Sequence, residues 1–472
     1  MKKRLTTLKR AGLTLVGAMA AGSVMAHQPH EHHGRHHQTQ AESHGGLKVI
    51  NPENHDYWFS VGGRLAFDET QFSGSTNDKG PNYPSGANIR RAFLKFAGGV
   101  GPSLSYNLTL DFTGANGVSG SNASTVDFQD AYVNLEGSDF GFIQTTNLRF
   151  GQFTPPTSID AWGNEGTQND TMFLESALAT TAFSVPTKVY GVWVDASAMD
   201  MFMFSVSAYQ PRQKNSINNT GVVNNNFGDA GRSDRLGGSA RLTVVPVHTD
   251  DTVYHLGVVG RFQSMNNGVA GNAITQPQPP YIQPGLFSTA PEARARNTNM
   301  LVTTGPVRAR SYNVVTGEAL ALFGPVTVAA EYSEANVQRV PNITDTTSNS
   351  NPRFHGWHVE GGYMLTGESR QYDFTTGTLR NPKVTSKCGA WELAARFSFA
   401  NLVDKNVYGG SEHNTTVGLN WFVNDNVRVA LNYIRANIRP TAVFPVTPAI
   451  NAPGVPVKRT LDIVGLRFGV MF

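Results

Sequence analysis

Cysteine is nearly missing from this chain: Cys388 stands alone among 472 residues, so no intrachain disulfide framework can form. Charge is sparse too, at 15% of residues against roughly 25% in ordinary soluble proteins. No apolar run reaches the length of about 20 residues that a spanning helix needs, and mean hydropathy is −0.28. A polytopic helical membrane protein is thereby excluded. A membrane β-barrel is not, because its strands are apolar only at alternate positions. The chain also lacks a Walker loop, a dinucleotide fingerprint and a GxSxG elbow. His55 and Asp56 lie near Ser60, but nothing in the pattern assembles them into a triad. What the chain does have is 48 glycines and 10% aromatics, in a length that suits one large barrel or two to three ordinary domains.

The first ten residues carry Lys2, Lys3, Arg4, Lys9 and Arg10, an apolar stretch follows to about Ala21, and Val24-Met25-Ala26 ends it. This is the layout of a secretory signal cut after Ala26. The chain has 38 basic and 35 acidic side chains; without those five bases it has 33 and 35, a net of −2. The apparent basicity therefore gives no reason to expect nucleic acid. Residues 27–56 read as a histidine-rich segment without regular structure. Seven of the 13 histidines crowd between His27 and His44, and His30, His32, His33, His36 and His37 are candidate ligands for a weakly held divalent transition metal. No ligand spacing defines a closed site there.

From Tyr57 to Phe472 the dominant signal is alternation with period two. Phe59, Val61, Leu65 and Phe67 share one face, with Ser60, Arg64, Ala66 and Asp68 on the other. Sixteen such segments follow one another. Connections alternate between short Gly/Pro/Asn/Asp turns and long polar segments such as 211–233, 263–311 and 437–460. The expected fold is all-β: a transmembrane up-and-down antiparallel barrel of about 16 strands over residues 57–472. Closure pairs every strand edge, so no backbone polar group is stranded in hydrocarbon. Residues 366–388 break the rule, falling on the short-turn side yet being long. The final strand, with Val464, Leu466, Phe468, Val470 and Phe472 on one face, ends on an aromatic.

A barrel of this size holds water, so inward residues decide what passes. The inward bases Arg64, Arg91, Lys95, Arg149 and Arg241 suggest an anion-attracting track, or a network of wall salt bridges. Residues 154–186 form the third long loop. It contains no Lys or Arg, four acids (Asp160, Glu165, Asp170 and Glu175) and many apolar residues. Such a loop folds inward, where it sets the bore. Its net charge of −4 favours cations, unless wall arginines pair with it.

Several runs resemble the phosphate-selective porin O and P family of Gram-negative bacteria. They are Val61-Gly62-Gly63-Arg64-Leu65, Arg90-Arg91-Ala92-Phe93, Gln129-Asp130-Ala131-Tyr132-Val133, Phe150-Gly151-Gln152-Phe153 with Pro155-Pro156, and Gly418-Leu419-Asn420-Trp421-Phe422. The most distinctive is Leu365-Thr366-Gly367-Glu368-Ser369-Arg370-Gln371-Tyr372, inside the connection that broke the rule. The resemblance implies a sixteen-stranded outer-membrane barrel, a homotrimer, an inward third loop and diffusion of anions past arginines. It places anion contacts at Arg64, Arg90 and Arg91. The third loop departs from the pattern: selective members carry basic residues there, whereas Ser176 follows Glu175 here.

The expected protein is thus a non-enzymatic, cofactor-free outer-membrane porin set in lipid. It passes small hydrophilic solutes, with inorganic, phosphate-like anions as candidates and selectivity weakened by the acidic loop. Two other readings are a surface structural or adhesive barrel using the loop at 263–311, and a porin with a metal-binding tail.

Overall fold

The computed structural model describes the chain from Gln40 to Phe472, apart from residues 43–45, 52, 75–84, 114–125, 141–142, 164–169, 185–186, 212–215, 218–222, 225–235, 250, 265–285, 295–301, 306, 308, 340–349 and 440–458. The proposed signal, the histidines from His30 to His37, and Glu165 lie outside the described residues.

Sixteen strands form the wall. They are β1 (Trp58–Gly74), β2 (Gly86–Gly99), β3 (Leu104–Asp111), β4 (Asp127–Phe140), β5 (Ile143–Phe153), β6 (Val189–Ala198), β7 (Phe202–Pro211) and β8 (Gly237–His248). Then come β9 (Thr252–Ser264), β10 (Ala309–Phe323), β11 (Val326–Arg339), β12 (Arg353–Met364), β13 (Ala390–Asp404), β14 (Val407–Phe422), β15 (Val427–Arg439) and β16 (Arg459–Met471). Each pairs antiparallel with the next, and β16 returns to β1, from Leu461 opposite Gly74 to Met471 opposite Arg64. The barrel is closed.

Alternation explains the two surfaces. Leu65, Phe67, Val192, Val194, Leu256 and Phe397 are exposed on the outside, which suits lipid. Arg64, Asp68, Arg241, Glu331, Arg396 and Arg467 are buried on the inside. The third loop turns inward as expected. Its helices, α1 (Ile159–Gly163) and α2 (Leu178–Phe183), are short. Ala179, Ala182 and Phe183 of α2 join Tyr312, Ala335 and Phe354 of the wall in one buried cluster. The fifth long loop enters as well: Phe287 meets the rings of Phe183, Tyr312 and Phe354 at 5.4, 5.3 and 5.9 Å.

Three features differ from the sequence reading. Leu47–Ile50, assigned to a segment without regular structure, is a strand paired to Gln40–Glu42 on one side and to Trp58–Val61 of β1 on the other. The cause is a free edge: β16 stops where Phe472 and Gly63 exchange backbone hydrogen bonds, leaving the start of β1 unpaired until this strand covers it. The connection between β13 and β14 is not long. Both strands extend further than alternation alone suggested, to a two-residue turn with Lys405 and Asn406 at φ 44° and 66°, as such hairpins require. The long periplasmic connection after β12, unexplained by alternation, has regular structure of its own. It forms a hairpin, Gln371–Asp373 with Thr378–Arg380, that rises into the lumen.

Candidate functional site: a lumen narrowed from both ends

The third loop is held through its own main chain. Between residues 170 and 175, one wall or connection side chain after another takes a carbonyl oxygen. Arg370 donates to Asp170 O at 2.8 Å, Arg428 to Thr171 O at 2.7 Å, Asn420 to Met172 O at 2.8 Å and Arg396 to Glu175 O at 2.9 Å. Arg467 donates to Leu174 O. A buried loop has no ladder partners for its carbonyls, and these donors supply them.

Glu175 is the electrostatic centre. Arg90 grips it with two hydrogen bonds of 2.6 and 2.7 Å, Arg467 reaches it at 2.9 Å, and Arg294 of the fifth loop lies 3.9 Å away. Burial works to raise its pKa, but Arg90, Arg467 and Arg294 outweigh that and hold it well below the usual carboxylate range. Asp170 pairs with Arg380 at 3.1 Å and accepts the Asn381 N–H at 3.2 Å. Burial still raises its pKa, against the pull of Arg380 and Arg370. Asp160 ties the loop to itself, accepting the Ala177 N–H at 2.8 Å, while its own N–H donates to Glu331 at 2.9 Å. Ser176 is half-buried. Asp170 and Glu175 are thus met by arginines, and their share of the −4 is offset on the spot.

The periplasmic hairpin closes on the loop from below. Arg380 holds Asp373 as well as Asp170. Arg370 forks onto Glu392 at 2.6 and 2.7 Å. The wall receives the hairpin tip: Arg241 donates to Thr376 O at 2.7 Å and Gly377 O at 2.8 Å while binding Glu318 at 2.8 Å. Tyr372 and His255 share a 2.6 Å hydrogen bond. Gly377 sits at φ 63°, and a Cβ there would lie 3.2 Å from the Arg241 guanidinium; only glycine fits without cost.

Among the described residues, these fillers leave one side of the lumen open. Inward residues of β10–β16, such as Glu331, Arg396, Thr416 and Arg467, are buried. Their counterparts on β2–β5, such as Lys95, Asn107, Asp130, Asn134 and Arg149, are only half-buried. The proposed anion-binding residues divide along this line. Arg64 is buried, within electrostatic reach of Arg467, Arg90 and Arg428. Arg90 is committed to Glu175, and Arg241 to Glu318 and the hairpin. Arg91, Lys95 and Arg149 are half-buried on the open side and have no carboxylate within ion-pair distance among the described residues, although Asp130 lies within electrostatic reach of Lys95 and Asp195 within reach of Arg149. Arg149 lies between the rings of Tyr132 and Trp193, 4.0 and 4.2 Å from their centroids, with its Nε bonded to Asn134 at 2.9 Å. Ring contacts and the Nε hydrogen bond together fix the guanidinium in place. A β-bulge explains Arg90 and Arg91: Ala66 faces Arg91 and Phe67 faces Ile89, so Arg90 is the extra residue. Two consecutive arginines can then both serve the inner side.

The sequence reading missed Arg380, Glu292 and Arg294. They lie in connections where alternation carries no information. Glu292 proves central to the fifth loop, meeting Arg396 at 3.1 Å and accepting from Thr416 at 2.8 Å.

A closed sixteen-strand barrel with an apolar outer face, a charged inner face and a loop folded into its bore is a membrane channel protein. The chain belongs to the family described as phosphate-selective porin O and P, whose model matches residues 59–443. It resides in the Gram-negative outer membrane. It is 24% identical over 414 residues to Porin O of Pseudomonas aeruginosa strain PAO1, covering 83% of this chain and 85% of that one. It is 25% identical over 396 residues to an uncharacterised protein of Caulobacter vibrioides strain CB 15, covering 80% and 68%. Solved structures similar to it include an anion-selective porin from Comamonas acidovorans (TM-score 0.49, 11% identity, 87% and 99% covered) and the outer-membrane channel DcaP of Acinetobacter baumannii (TM-score 0.47, 12% identity, 90% and 99% covered).

Proposed function

We propose that the protein is a passive channel, not an enzyme, for small hydrophilic solutes, and that it prefers anions, phosphate among them. One observation carries the preference: on the open side of the lumen, Arg91, Lys95 and Arg149 form no ion pair with a carboxylate among the described residues, while Asp170 and Glu175 of the third loop are gripped directly by arginines. Charge exposed along a narrow, water-filled path acts on permeating ions, whereas charge paired within the wall acts mainly on its partner. The weakening expected from the acidic loop is correspondingly small. We extend the proposal to a homotrimer, as the family resemblance implies. The adhesive reading loses ground because residues 286–294 of the fifth loop lie inside the barrel.

The test is the reversal potential of the purified protein in a planar bilayer under a KCl gradient. Chloride preference is expected, with added phosphate reducing the current. Replacing Arg91, Lys95 and Arg149 together by Ala should abolish both effects. A cation-leaning potential in the unaltered protein overturns the reading.

A further inference from the structure

We infer that the outer face of β11–β13, at its extracellular end, is a binding site for the phosphate of an outer-leaflet lipid head group, held by Arg353, His355 and Lys405. The outward residues there change character row by row. Tyr332, Trp357 and Phe399 face one another across the three strands and form an aromatic row of the kind that marks a membrane interface. The next outward row is Glu334, His355 and Asn401, and above it Asn336 is paired to Arg353. Two residues along a strand advance about 7 Å, so this polar patch stands at head-group height, directly above the aromatics.

Glu334, Arg353, His355, Val403, Asp404 and Lys405 line one shallow, open depression. Its floor is fixed by ring packing: His355 stacks on Tyr332 at 6.5 Å and 21° and leans on Phe399 at 5.8 Å. Its upper edge is fixed by the backbone, where Asp404 accepts the Arg353 N–H at 2.7 Å and Lys405 donates to Asn351 O at 2.9 Å. The Arg353 guanidinium has no carboxylate partner among the described residues and is exposed. The connection beside it, between β13 and β14, is the two-residue turn Lys405-Asn406.

The ligand class follows from the donors. A guanidinium fork, an ammonium and an imidazole line the same depression, and a phosphate offers oxygens enough for all three. Glu334 and Asp404 also line the cleft, so net charge does not draw a diffuse polyanion. The attraction is confined to close contact with a phosphate already delivered at this height by its acyl chains. That geometry favours a lipid over free phosphate.

The purified, delipidated protein is titrated with diphosphorylated lipid A, with its dephosphorylated form and with inorganic phosphate, and bound lipid is counted by native mass spectrometry. The unaltered protein should retain the diphosphorylated lipid, and Arg353→Ala with Lys405→Ala should need at least tenfold more lipid for equal occupancy. The milder pair Arg353→Gln and Lys405→Gln guards against misfolding and should show the same direction. Conductance should be unchanged in both, since neither residue faces the lumen. Equal retention by the variants, or of the dephosphorylated lipid, overturns the assignment. Displacement of lipid by millimolar inorganic phosphate overturns the choice of a lipid as the ligand.

Discussion

Arg467 on the last barrel strand joins the two ends of the wall to the constriction loop: its fork binds Asp68 of the first strand at 2.6 and 2.7 Å, and the same guanidinium reaches Glu175 at 2.9 Å. The closing seam and the loop position therefore depend on one buried cation. Burying charges is costly, and the geometry recovers that cost only while every partner is in place.

Glu175→Gln leaves Arg90 and Arg467 each short of a carboxylate. Removing one partner of a buried pair costs about 3–5 kcal/mol, and here the cost falls on loop docking. The expected result is a lower thermal unfolding midpoint and a noisier, larger single-channel conductance. A quiet channel of unchanged conductance would show that the carbonyl contacts alone hold the loop.

Arg241→Ala should release the periplasmic hairpin. It removes two donors to the hairpin tip and leaves Glu318 with His255 at 3.2 Å in place of a guanidinium, a loss of about 3–5 kcal/mol for a broken buried pair. Conductance should rise, with anion preference kept, because Arg241 lies outside the open sector. Protease access to residues 371–380, followed by mass spectrometry, checks the undocking directly.

Arg149→Lys separates charge from shape. The ammonium keeps the positive charge, so the KCl reversal potential should move little. It cannot fill the slot between Tyr132 and Trp193 or present a fork, so the block by added phosphate should weaken severalfold. An unchanged block would mean that point charge suffices.

Acidification should raise anion preference through Asp170. Burial raises the pKa of Asp170, whereas Arg90 and its neighbours hold that of Glu175 low despite its burial. As pH falls, Asp170 therefore takes its proton while Glu175 is still ionised, and Arg380 loses a counter-charge. The reversal potential should shift toward anions between neutral pH and about pH 4, near the ordinary carboxylate range, and Asp170→Asn should show the shifted value already at neutral pH. A shift of equal size in that variant would assign the effect to another group.

The wall was legible because strand alternation repeats one physical rule sixteen times, and Leu65, Phe67, Val464 and Phe468 obey it plainly. The inward turn of the third loop was legible from its apolar residues. Which cations remain exposed was not, because pairing depends on residues far apart in sequence: Arg90 and Glu175 are 85 residues apart, and Arg467 and Asp68 are 399 apart. The Gln371–Arg380 hairpin announced itself as an overlong connection carrying a family-like run, not as a hairpin. Its partners Arg241 and His255 look in sequence like any other inward residues.

The bulge at Arg90 makes the length of β2 negotiable. Deleting one residue from a membrane strand ordinarily turns everything beyond it inside out. Arg90 has no partner on β1, so its removal would leave Ala66 opposite Arg91 and Phe67 opposite Ile89, every flanking side chain on its original face. The wall can therefore lose this arginine outright, giving up a grip on Glu175 but not the register of the strand.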